Sequence, residues 1–322
     1  MRHFTVRVWL ALGLALALGL AAPGAWAQAY PDRPVRIIVP YTTGGATDTT
    51  ARLFAEQLGR RLGQPFVVEN RAGGGTSLGA ALAAKAAPDG HTLLISNFAS
   101  NVVNRWLRRQ LDYDPAAFTH AGMLSRSAMV LAVAPGSPIH TLADLVALAR
   151  TKPGGLSYAS NGPGTPNHLL SELLALRAGV PLVHIPYAGS SQSNLDLVAG
   201  RVDFMFDAFT IVTSGQARGV AVADAARWAA LPMVPTTAEA GYPDVGLTTF
   251  FGLAAPAGTP EPILDRLHAA ILPAMQDQAL VQRMGATGFV PWPISRAATA
   301  AFIASESEKW RAVIATARIS LE

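Results

Sequence analysis

The chain alternates short apolar runs, rich in Val, Ile and Phe, with longer segments in which Ala and Leu recur at helical spacing. The short runs predict strands at residues 35–39, 66–68, 92–96, 129–134, 156–159, 182–185, 202–206, 218–222 and 249–254. The longer segments predict helices at residues 50–62, 76–86, 142–149, 167–178, 191–199, 263–275 and 297–317. Regular alternation of strand and helix indicates an α/β architecture, with parallel sheets covered by helices on both faces.

The N-terminal segment has the pattern of an export signal. A short basic region precedes an apolar run at residues 8–20, and Ala25-Trp26-Ala27 is typical of a signal-peptidase cleavage site. The run of about 13 residues is shorter than the roughly 20 that span a bilayer. We therefore predict a signal peptide at residues 1–27, cleaved near Ala27-Gln28, in preference to a retained membrane anchor. The mature protein is expected to be soluble and exported.

Composition excludes several classes of protein. The 322 residues include no cysteine, so a disulfide framework, a thiol nucleophile and a cysteine-ligated metal are excluded. Half of the residues are hydrophobic and only 14% are charged, which provides enough apolar surface for a core. Removing Arg2 and Arg7 from the 25 basic residues leaves 23 against 21 acidic ones. That near-balance argues against a nucleic-acid partner. About 295 residues after the signal peptide suit two domains.

The most informative motif is a strand that ends in a glycine turn and continues as a helix. Its turn is Tyr41-Thr42-Thr43-Gly44-Gly45-Ala46-Thr47-Asp48. A helix that begins at the carboxyl end of a strand presents unpaired N–H groups and the positive end of its dipole. Glycines let a ligand approach those groups, so we expect a carboxylate to bind here. Asp48 would cap the helix or accept a hydrogen bond from the ligand. A helix cap at Thr47 or Asp48 alone would not explain why two glycines, Gly44 and Gly45, precede it, so we favour a ligand site. The P-loop sequence of nucleotide-binding proteins is absent.

A second strand–turn–helix unit repeats this pattern in the other half of the chain. Its candidate ligand residues are Ser160, Asn161, Gly164, Thr165, Asn167 and His168. Thr165 or Asn167 would begin the helix. His168 is either a catalytic base or, as we favour, a residue with a hydrogen-bonding or packing role. Two such units predict a protein that binds a small anion from both sides.

Further candidates lie at the ends of other predicted strands, and each has two interpretations. Asn97 either reaches the cleft or only starts a turn. Tyr187, followed by Gly189, either covers a ligand or packs at the edge of a lobe. Asp207 either accepts a hydrogen bond from the ligand or caps the following helix.

Signatures of enzymes and cofactors are weak. The glycine loop at residues 73–79 departs from the dinucleotide-binding pattern at Leu78, so ligand contact there stays open. Residues 75–79 match G-x-S-x-G, but Ser77 falls within a predicted helix and not on a sharp turn directly after a strand. The histidines are scattered, without H-E-x-x-H or a pair at metal-binding spacing. We expect no cofactor, no metal and no enzyme activity. The alternative is an exported hydrolase using Ser77, Ser160 or Ser191 with His168.

Taken together, these motifs resemble the Bug family, the periplasmic substrate-binding proteins of tripartite tricarboxylate transporters. The resemblance runs from Tyr30 to about Trp310. The motifs that carry it are residues 30–34 (YPDRP), 37–40 (IIVP), 44–48 (GGATD), 63–65 (GQP), 67–71 (VVENR), 87–94 (APDGHTLL), 167–168 (NH), 184–187 (HIPY), 206–207 (FD), 234–241 (VPTTAEAG) and 251–260 (FGLAAPAGTP). Each motif is weak alone, but their order and separations are specific.

The resemblance implies a two-lobed, type II (Venus-flytrap) periplasmic binding protein, with two mixed, mostly parallel sheets and a ligand cleft between the lobes. We assign residues 28–126 and 229–322 to lobe 1 and residues 127–228 to lobe 2. The family resemblance further implies a carboxylated solute, held at residues 41–48 and 160–168 by backbone N–H groups and water, with Tyr187, Gly189 and Asp207 near the cleft. The expected partners are membrane transporter subunits, or alternatively a sensor kinase. A monomer is expected.

The chain also departs from the family pattern. Thr42, Thr43 and Ala46 stand where small residues and a third glycine are usual. Ala188 replaces a frequent lysine, and serines follow Gly189 where a second glycine is common. We therefore expect a ligand that differs from the dicarboxylates and acidic amino acids suggested by the family.

Overall fold

The computed structural model describes residues 30–187 and 189–321, so the predicted signal peptide lies outside the described residues. The strands of that part are β1 (Val35–Val39), β2 (Phe66–Asn70), β3 (Thr92–Asn97), β4 (Phe118–Val133), β5 (Leu156–Ser160), β6 (Leu182–Pro186), β7 (Phe204–Ala208), β8 (Arg218–Val222), β9 (Thr248–Pro256) and β10 (Val290–Pro291). The helices are α1 (Ala46–Leu62), α2 (Ser77–Ala84), α3 (Asn104–Leu107), α4 (Leu142–Thr151), α5 (Pro166–Ala178), α6 (Ser190–Val198), α7 (Thr210–Thr213), α8 (Glu261–Ala274), α9 (Gln278–Gly285) and α10 (Arg296–Ala317). Short 3₁₀ turns lie at Gly74–Thr76 and Pro115–Ala117, and a π-helical turn lies at Ala99–Val103.

Local signals explain several helix boundaries. Thr141 and Asp144 form a capping box at the start of α4, in which each side chain accepts a hydrogen bond from the other residue's backbone N–H. The helices α1 and α5 end at Gly63 and Gly179, both in the left-handed conformation that glycine adopts without steric cost.

The strands form a curled mixed sheet in the order β2-β1-β3-β9-β4-β7-β5-β6. In one half β1 pairs in parallel with β2 and β3, and in the other half β5 pairs in parallel with β6 and β7. Between these halves, β4 and β9 run antiparallel to their neighbours. The predicted α/β, two-lobed class is confirmed.

The strand β4 crosses from one lobe to the other. Residues 118–128 pair with β9, and residues 129–132 pair with β7. The predicted strand at 129–134 was therefore too short, because β4 has 16 residues. Its first part carries His120, Ser125 and Arg126 and two register shifts, which interrupt the apolar alternation that marks a strand.

Some clusters of the hydrophobic core lie within one lobe, and another joins residues of both lobes. One cluster in lobe 1 includes Phe54 of α1 and Leu267 of α8. A cluster in lobe 2 lies between the sheet and α6. A third contains Phe98, Leu169 of α5 and Trp310 of α10, so it joins residues from both predicted lobes. The rings of Phe98 and Trp310 meet edge to face, with centroids 5.5 Å apart. Within residues 30–187 and 189–321, no helix is long and apolar enough to cross a bilayer.

The parallel strands define the position of the candidate site. The strands β1, β2 and β3 end at the same edge of their sheet, and so do β5, β6 and β7. In open α/β sheets, ligands bind at the carboxyl ends of such strands. The two predicted turns, residues 41–48 and 160–168, lie at these edges.

Candidate ligand-binding site

The first turn presents exposed backbone at the start of α1. Gly44 has a φ of +88°, a conformation that favours glycine, and Gly45 is the N-cap residue of the helix. The first hydrogen bond of the helix runs from Thr49 N–H to Gly45 O (2.9 Å). The N–H groups of residues 46–48 therefore have no acceptor within the helix. Residues 42–45 are exposed, so a ligand can approach this end.

Asp48 fixes the shape of this turn. Its Oδ2 accepts hydrogen bonds from Gly44 N–H (3.0 Å) and Arg52 Nε (3.0 Å), and its Oδ1 accepts one from Asn70 Nδ2 (3.0 Å). Desolvation of this buried carboxyl favours its neutral form, but the hydrogen bonds from Arg52, Gly44 and Asn70 outweigh it and lower its pKa. The predicted capping role is not seen, because Gly45 occupies the N-cap of α1. The Asp48 oxygens accept hydrogen bonds from the protein itself, and a contact with the ligand stays a prediction. Thr47 is not the cap either.

Asn97 connects the end of β3 to the first turn. Its Oδ1 accepts hydrogen bonds from Tyr41 OH (3.4 Å) and from Ser100 N–H (3.1 Å). Its N–H donates to Asn101 Oδ1 (3.3 Å). The ring of Tyr41 is partly exposed, yet desolvation of its hydroxyl, with Tyr113 nearby, raises the pKa of Tyr41 to about 12. Tyr41 therefore remains a hydrogen-bond donor at neutral pH.

Asn101 contributes a buried donor that the sequence did not indicate. Its side chain is 3% exposed, and its Nδ2 has no hydrogen-bond partner among the described residues. A buried amide donor without an acceptor costs free energy, of the order of 1–3 kcal/mol. Such a group beside the first turn is suited to a water molecule or a ligand.

The second turn is held together by its own side chains. Ser160 Oγ lies 2.6 Å from His184 Nε2 and accepts from Gly162 N–H (3.1 Å). Thr165 is the N-cap residue of α5, as predicted, but its Oγ1 donates to Gly162 O (2.6 Å) and does not cap the helix. Gly164 N–H donates to His168 Nδ1 (3.0 Å). The first hydrogen bond of α5 runs from Leu169 N–H to Thr165 O (3.0 Å).

The N–H groups of Asn167 and His168 therefore precede the first bonded turn and have no acceptor within α5. The side chain of Asn167 faces the sheet, where its Nδ2 donates to Phe206 O (2.9 Å). Asn161 is bonded to α6, since its Nδ2 donates to Ser190 Oγ (3.0 Å) and its Oδ1 accepts from Ser193 Oγ (3.1 Å). These side chains shape the turn and leave backbone groups as its open donors.

His168, which is buried, and His184, which is partly buried, form a stacked pair. Their ring centroids are 4.1 Å apart, and Tyr158 stacks on His184 at 5.0 Å. Burial lowers the pKa of both imidazoles to about 4, so both are neutral at neutral pH. Because His168 Nδ1 accepts from Gly164, its proton resides on Nε2. The structure gives His168 the hydrogen-bonding and packing role at the helix start.

The remaining candidates lie on the α6 side of lobe 2. Tyr187 packs at the rim of the lobe 2 core and its hydroxyl donates to Asp196 (2.9 Å). Gly189 is the N-cap residue of α6. Asp207 is buried near the end of β7, and desolvation raises its pKa although Ala208 N–H and Asn194 donate to it. It does not cap α7, whose N-cap is Phe209.

Residues of α3 and the C-terminal segment lie against the second turn. A Cβ built at Gly164 would lie 3.0 Å from Leu107 Cδ1 and 3.1 Å from Leu321 Cδ1. A groove of about 680 Å³ lies elsewhere, between α5, residues 223–248 and α10, and none of its lining residues belongs to either turn. The candidate site is therefore defined by the turns and not by this groove.

Two α/β lobes that share a crossing strand, each with a glycine turn at its sheet edge, define a two-lobed periplasmic binding protein. Residues 50–319 match the family model described as "Tripartite tricarboxylate transporter family receptor". The chain belongs to this family and is a periplasmic solute receptor of it.

Relatives agree with this assignment. The chain is 36% identical over 315 residues to Protein BugT of Bordetella pertussis, covering 96% of both chains. It is 38% identical over 315 residues to the UPF0065 protein of the tcbD-tcbE intergenic region of Pseudomonas sp. (strain P51), covering 96% of this chain and 94% of that protein.

Solved structures are similar along nearly their full length. The R. palustris protein Rpa4515, solved with adipate, has a TM-score of 0.79 at 33% identity, covering 90% of this chain and 99% of the other. MatC of Rhodopseudomonas palustris, solved with bound malate, has a TM-score of 0.75 at 31% identity, covering 88% of this chain and 100% of the other. The family and these neighbours are solute-binding proteins. The chain is therefore a receptor and not an enzyme, and the hydrolase alternative is rejected.

Proposed function

We propose that this receptor binds a small carboxylate-bearing organic solute between its lobes in the periplasm. Export would depend on the predicted signal peptide at residues 1–27. The bound receptor would then deliver the solute to a tripartite tricarboxylate-type membrane transporter, acting as a monomer. The solutes in the two related structures, adipate and malate, support a carboxylate ligand.

The observation that carries the proposal is the open backbone at the start of α1. Residues 42–45 are exposed, residues 46–48 have N–H groups without helical acceptors, and Asp48 holds the turn in place. Because Asp48 is already neutralised by hydrogen bonds and by Arg52, it presents little repulsion to an incoming anion. Backbone donors and the helix dipole then favour negative charge at this point.

The second turn would complete the site from lobe 2. The N–H groups of Asn167 and His168 are arranged at the start of α5 as those of residues 46–48 are at α1. A solute that bonds to both turns interacts more strongly with the closed arrangement than with the open one, so it shifts the population towards closure. The transporter subunits would recognise that closed form.

Isothermal titration of the mature protein with adipate, malate, hexanoate and adipamide tests carboxylate binding. We expect binding of at least one carboxylate and none of the neutral diamide. Gly45→Val has space for its side chain, since a Cβ at Gly45 meets no atom within 4 Å, but it obstructs the turn. Its affinity should fall at least tenfold, which is about 1.4 kcal/mol.

Gly136→Val is the matched control, because a Cβ there also meets no atom within 4 Å and Gly136 lies outside both turns. A wild-type protein that binds no carboxylate, or a Gly45→Val variant of unchanged affinity, would refute the proposed site. Delivery is tested by solute uptake in a strain that lacks the receptor. Wild type should restore uptake, whereas Gly45→Val should not.

A further inference from the structure

A smaller groove lies between α3 and the end of α10. It has a volume of about 310 Å³ and is lined by Trp106, Arg311, Ile314, Ala315, Arg318, Ile319 and Ser320, and we call it the Trp106 groove. This volume is close to the lower limit of about 300 Å³ for pockets that bind small molecules, so the groove suits one large side chain better than a whole solute. The residues that line it belong to neither turn, so this surface is distinct from the candidate ligand site.

Trp106 provides a fixed aromatic surface in this groove. Its Nε1 donates to Ser307 Oγ (3.0 Å) of α10, and its ring packs against the cluster that joins the two lobes. Ser307 Oγ in turn donates to Val102 O (3.4 Å), so the orientation of the ring is restrained. Because the polar atom of the indole is already bonded, the exposed part of this half-buried ring offers apolar contact area at a small cost in conformational entropy.

Positive charge accompanies this apolar surface. The guanidinium carbons of Arg105 and Arg311 lie 4.6 Å and 6.0 Å from the centroid of the Trp106 ring. Arg311 forms an ion pair with Glu308. Arg105 and Arg318 are exposed and form no ion pair with a carboxylate of the described part of the chain. Their guanidinium groups can therefore bind a carboxylate of another molecule.

The segment that forms one wall of the groove also touches the second turn. It is held after α10 by two hydrogen bonds, from Ile319 N–H to Ile314 O (3.1 Å) and from Leu321 N–H to Leu107 O (3.1 Å). Leu321 lies against Gly164, where a Cβ would be 3.1 Å from Leu321 Cδ1. A partner bound in the groove would therefore be next to the second turn.

We propose that the Trp106 groove is an interaction surface for an acidic segment of a partner protein, which inserts an apolar side chain beside Trp106. Tryptophan and arginine are enriched among the residues that dominate protein–protein interfaces, and the arginine fork fits a carboxylate with two parallel hydrogen bonds. An anionic membrane presents a flat surface, whereas Trp106 and Ile319 line a recess, so the shape favours a protein segment. Only the identity of the partner, a subunit of the membrane transporter, rests on the proposed function.

A capped hexapeptide of sequence Asp-Glu-Phe-Leu-Glu-Asp, labelled for fluorescence anisotropy, tests the surface on the mature protein. Wild type should bind this peptide and not the neutral version in which Asn and Gln replace the acids. The double variant Arg105→Glu/Arg318→Glu should bind it about tenfold more weakly, because two attractive charges become repulsive. Arg61→Glu, at an exposed arginine near the end of α1, is the control and should change the affinity by less than about twofold.

A second variant blocks the groove without changing its charge. Ala315 is exposed and lines the groove, so Ala315→Trp should fill it and weaken peptide binding about tenfold. Both variants should keep the carboxylate affinity of wild type within about twofold, because neither alters a turn. In a strain that lacks the receptor they should nevertheless restore solute uptake at a rate at least about fivefold below that of wild type.

Three outcomes would overturn the inference. They are a wild-type protein that does not bind the acidic peptide, variants that bind it as wild type does, and charge-reversed protein that loses binding only to phosphatidylglycerol vesicles, which would indicate a lipid surface. Phosphatidylcholine vesicles are the neutral comparison. In each case carboxylate binding by wild type would leave the proposed function standing. A wild type that binds no carboxylate would instead overturn the proposed function, while the peptide titration would still decide the role of the groove. Circular dichroism of each variant establishes that it is folded.

Discussion

The imidazole rings of His168 and His184 stack with their centroids 4.1 Å and their planes 12° apart, and both are bonded to the second turn. Only neutral rings pack in this way without charge repulsion. Tyr158 stacks on the pair, and the Tyr158 hydroxyl donates to Glu172, whose charge acts on His184. The stability of the second turn is thus linked to the protonation of two side chains.

Acid should therefore destabilise the fold between about pH 6.5 and pH 4. The pKa of each histidine is near 6.5 when unfolded and about 4 when folded, so the unfolded state binds protons first as the pH falls. Replacing His184 with Gln should reduce the slope of unfolding free energy against pH in this window by up to about 1.4 kcal/mol per pH unit. Urea denaturation at several pH values measures that slope. His140→Gln, at an exposed position, is the control, and equal slopes for wild type and His184→Gln would contradict the assignment.

Asp48→Asn should destabilise the protein and weaken carboxylate binding together. The substitution removes the charge that accepts from Gly44 N–H and Arg52, and charge-assisted hydrogen bonds contribute about 1.5–3 kcal/mol each. Because Arg52 is about half exposed, we expect a loss near the lower end of that range. Urea denaturation and solute titration measure the two effects. The exposed Asp112→Asn should change stability by less than about 0.5 kcal/mol. If the Asp48→Asn variant loses stability but binds solute with normal affinity, Asp48 does not contribute to solute binding.

Two glycine-to-alanine substitutions should have opposite effects on stability. A Cβ at Gly79 would lie 2.8 Å from Arg71 O and 2.9 Å from Pro40 Cβ, so α2 would have to move away from β1. Overpacking of this kind costs roughly 1–3 kcal/mol. At Gly285 in α9 a Cβ meets no atom within 4 Å, so alanine should stabilise by up to about 1 kcal/mol. Thermal unfolding compares the two variants, and a stable Gly79→Ala protein would show that α2 is not closely packed there.

The sequence predicted the elements whose signals are local. Residues 35–39 form an apolar strand and Gly44-Gly45 form a turn, so β1 and the start of α1 were expected where they occur, although α1 begins at Ala46 and not at residue 50. The shared strand was harder to predict, because the polar residues and register shifts of its first part conceal the pattern. Helix α9 and the turns at residues 99–107 were not predicted. Asn101 and Asn104, which lie in these turns, are buried only because of tertiary contacts.

The roles of site side chains depend on partners that are distant in sequence. Asn161 and Asn167 have the donors expected of ligand residues, but α6 and β7 supply their partners, which lie about 30 to 40 residues away along the chain. The sequence likewise did not indicate that Asn70 would bond to Asp48, or that His184 would stack on His168. The prediction that backbone N–H groups of the two turns bind an anion did not require knowledge of these distant partners. It depends only on where each helix begins.

The crossing of β4 between the lobes has a consequence for how the molecule folds. Residues 118–128 complete the sheet of lobe 1 and residues 129–132 complete that of lobe 2, so neither sheet closes without the same strand. The lobes are thus not independent folding units connected by a tether. Loss of pairing along β4 removes a central strand from both, which couples their unfolding into one cooperative event and leaves no exposed linker within the strand for a protease to cut.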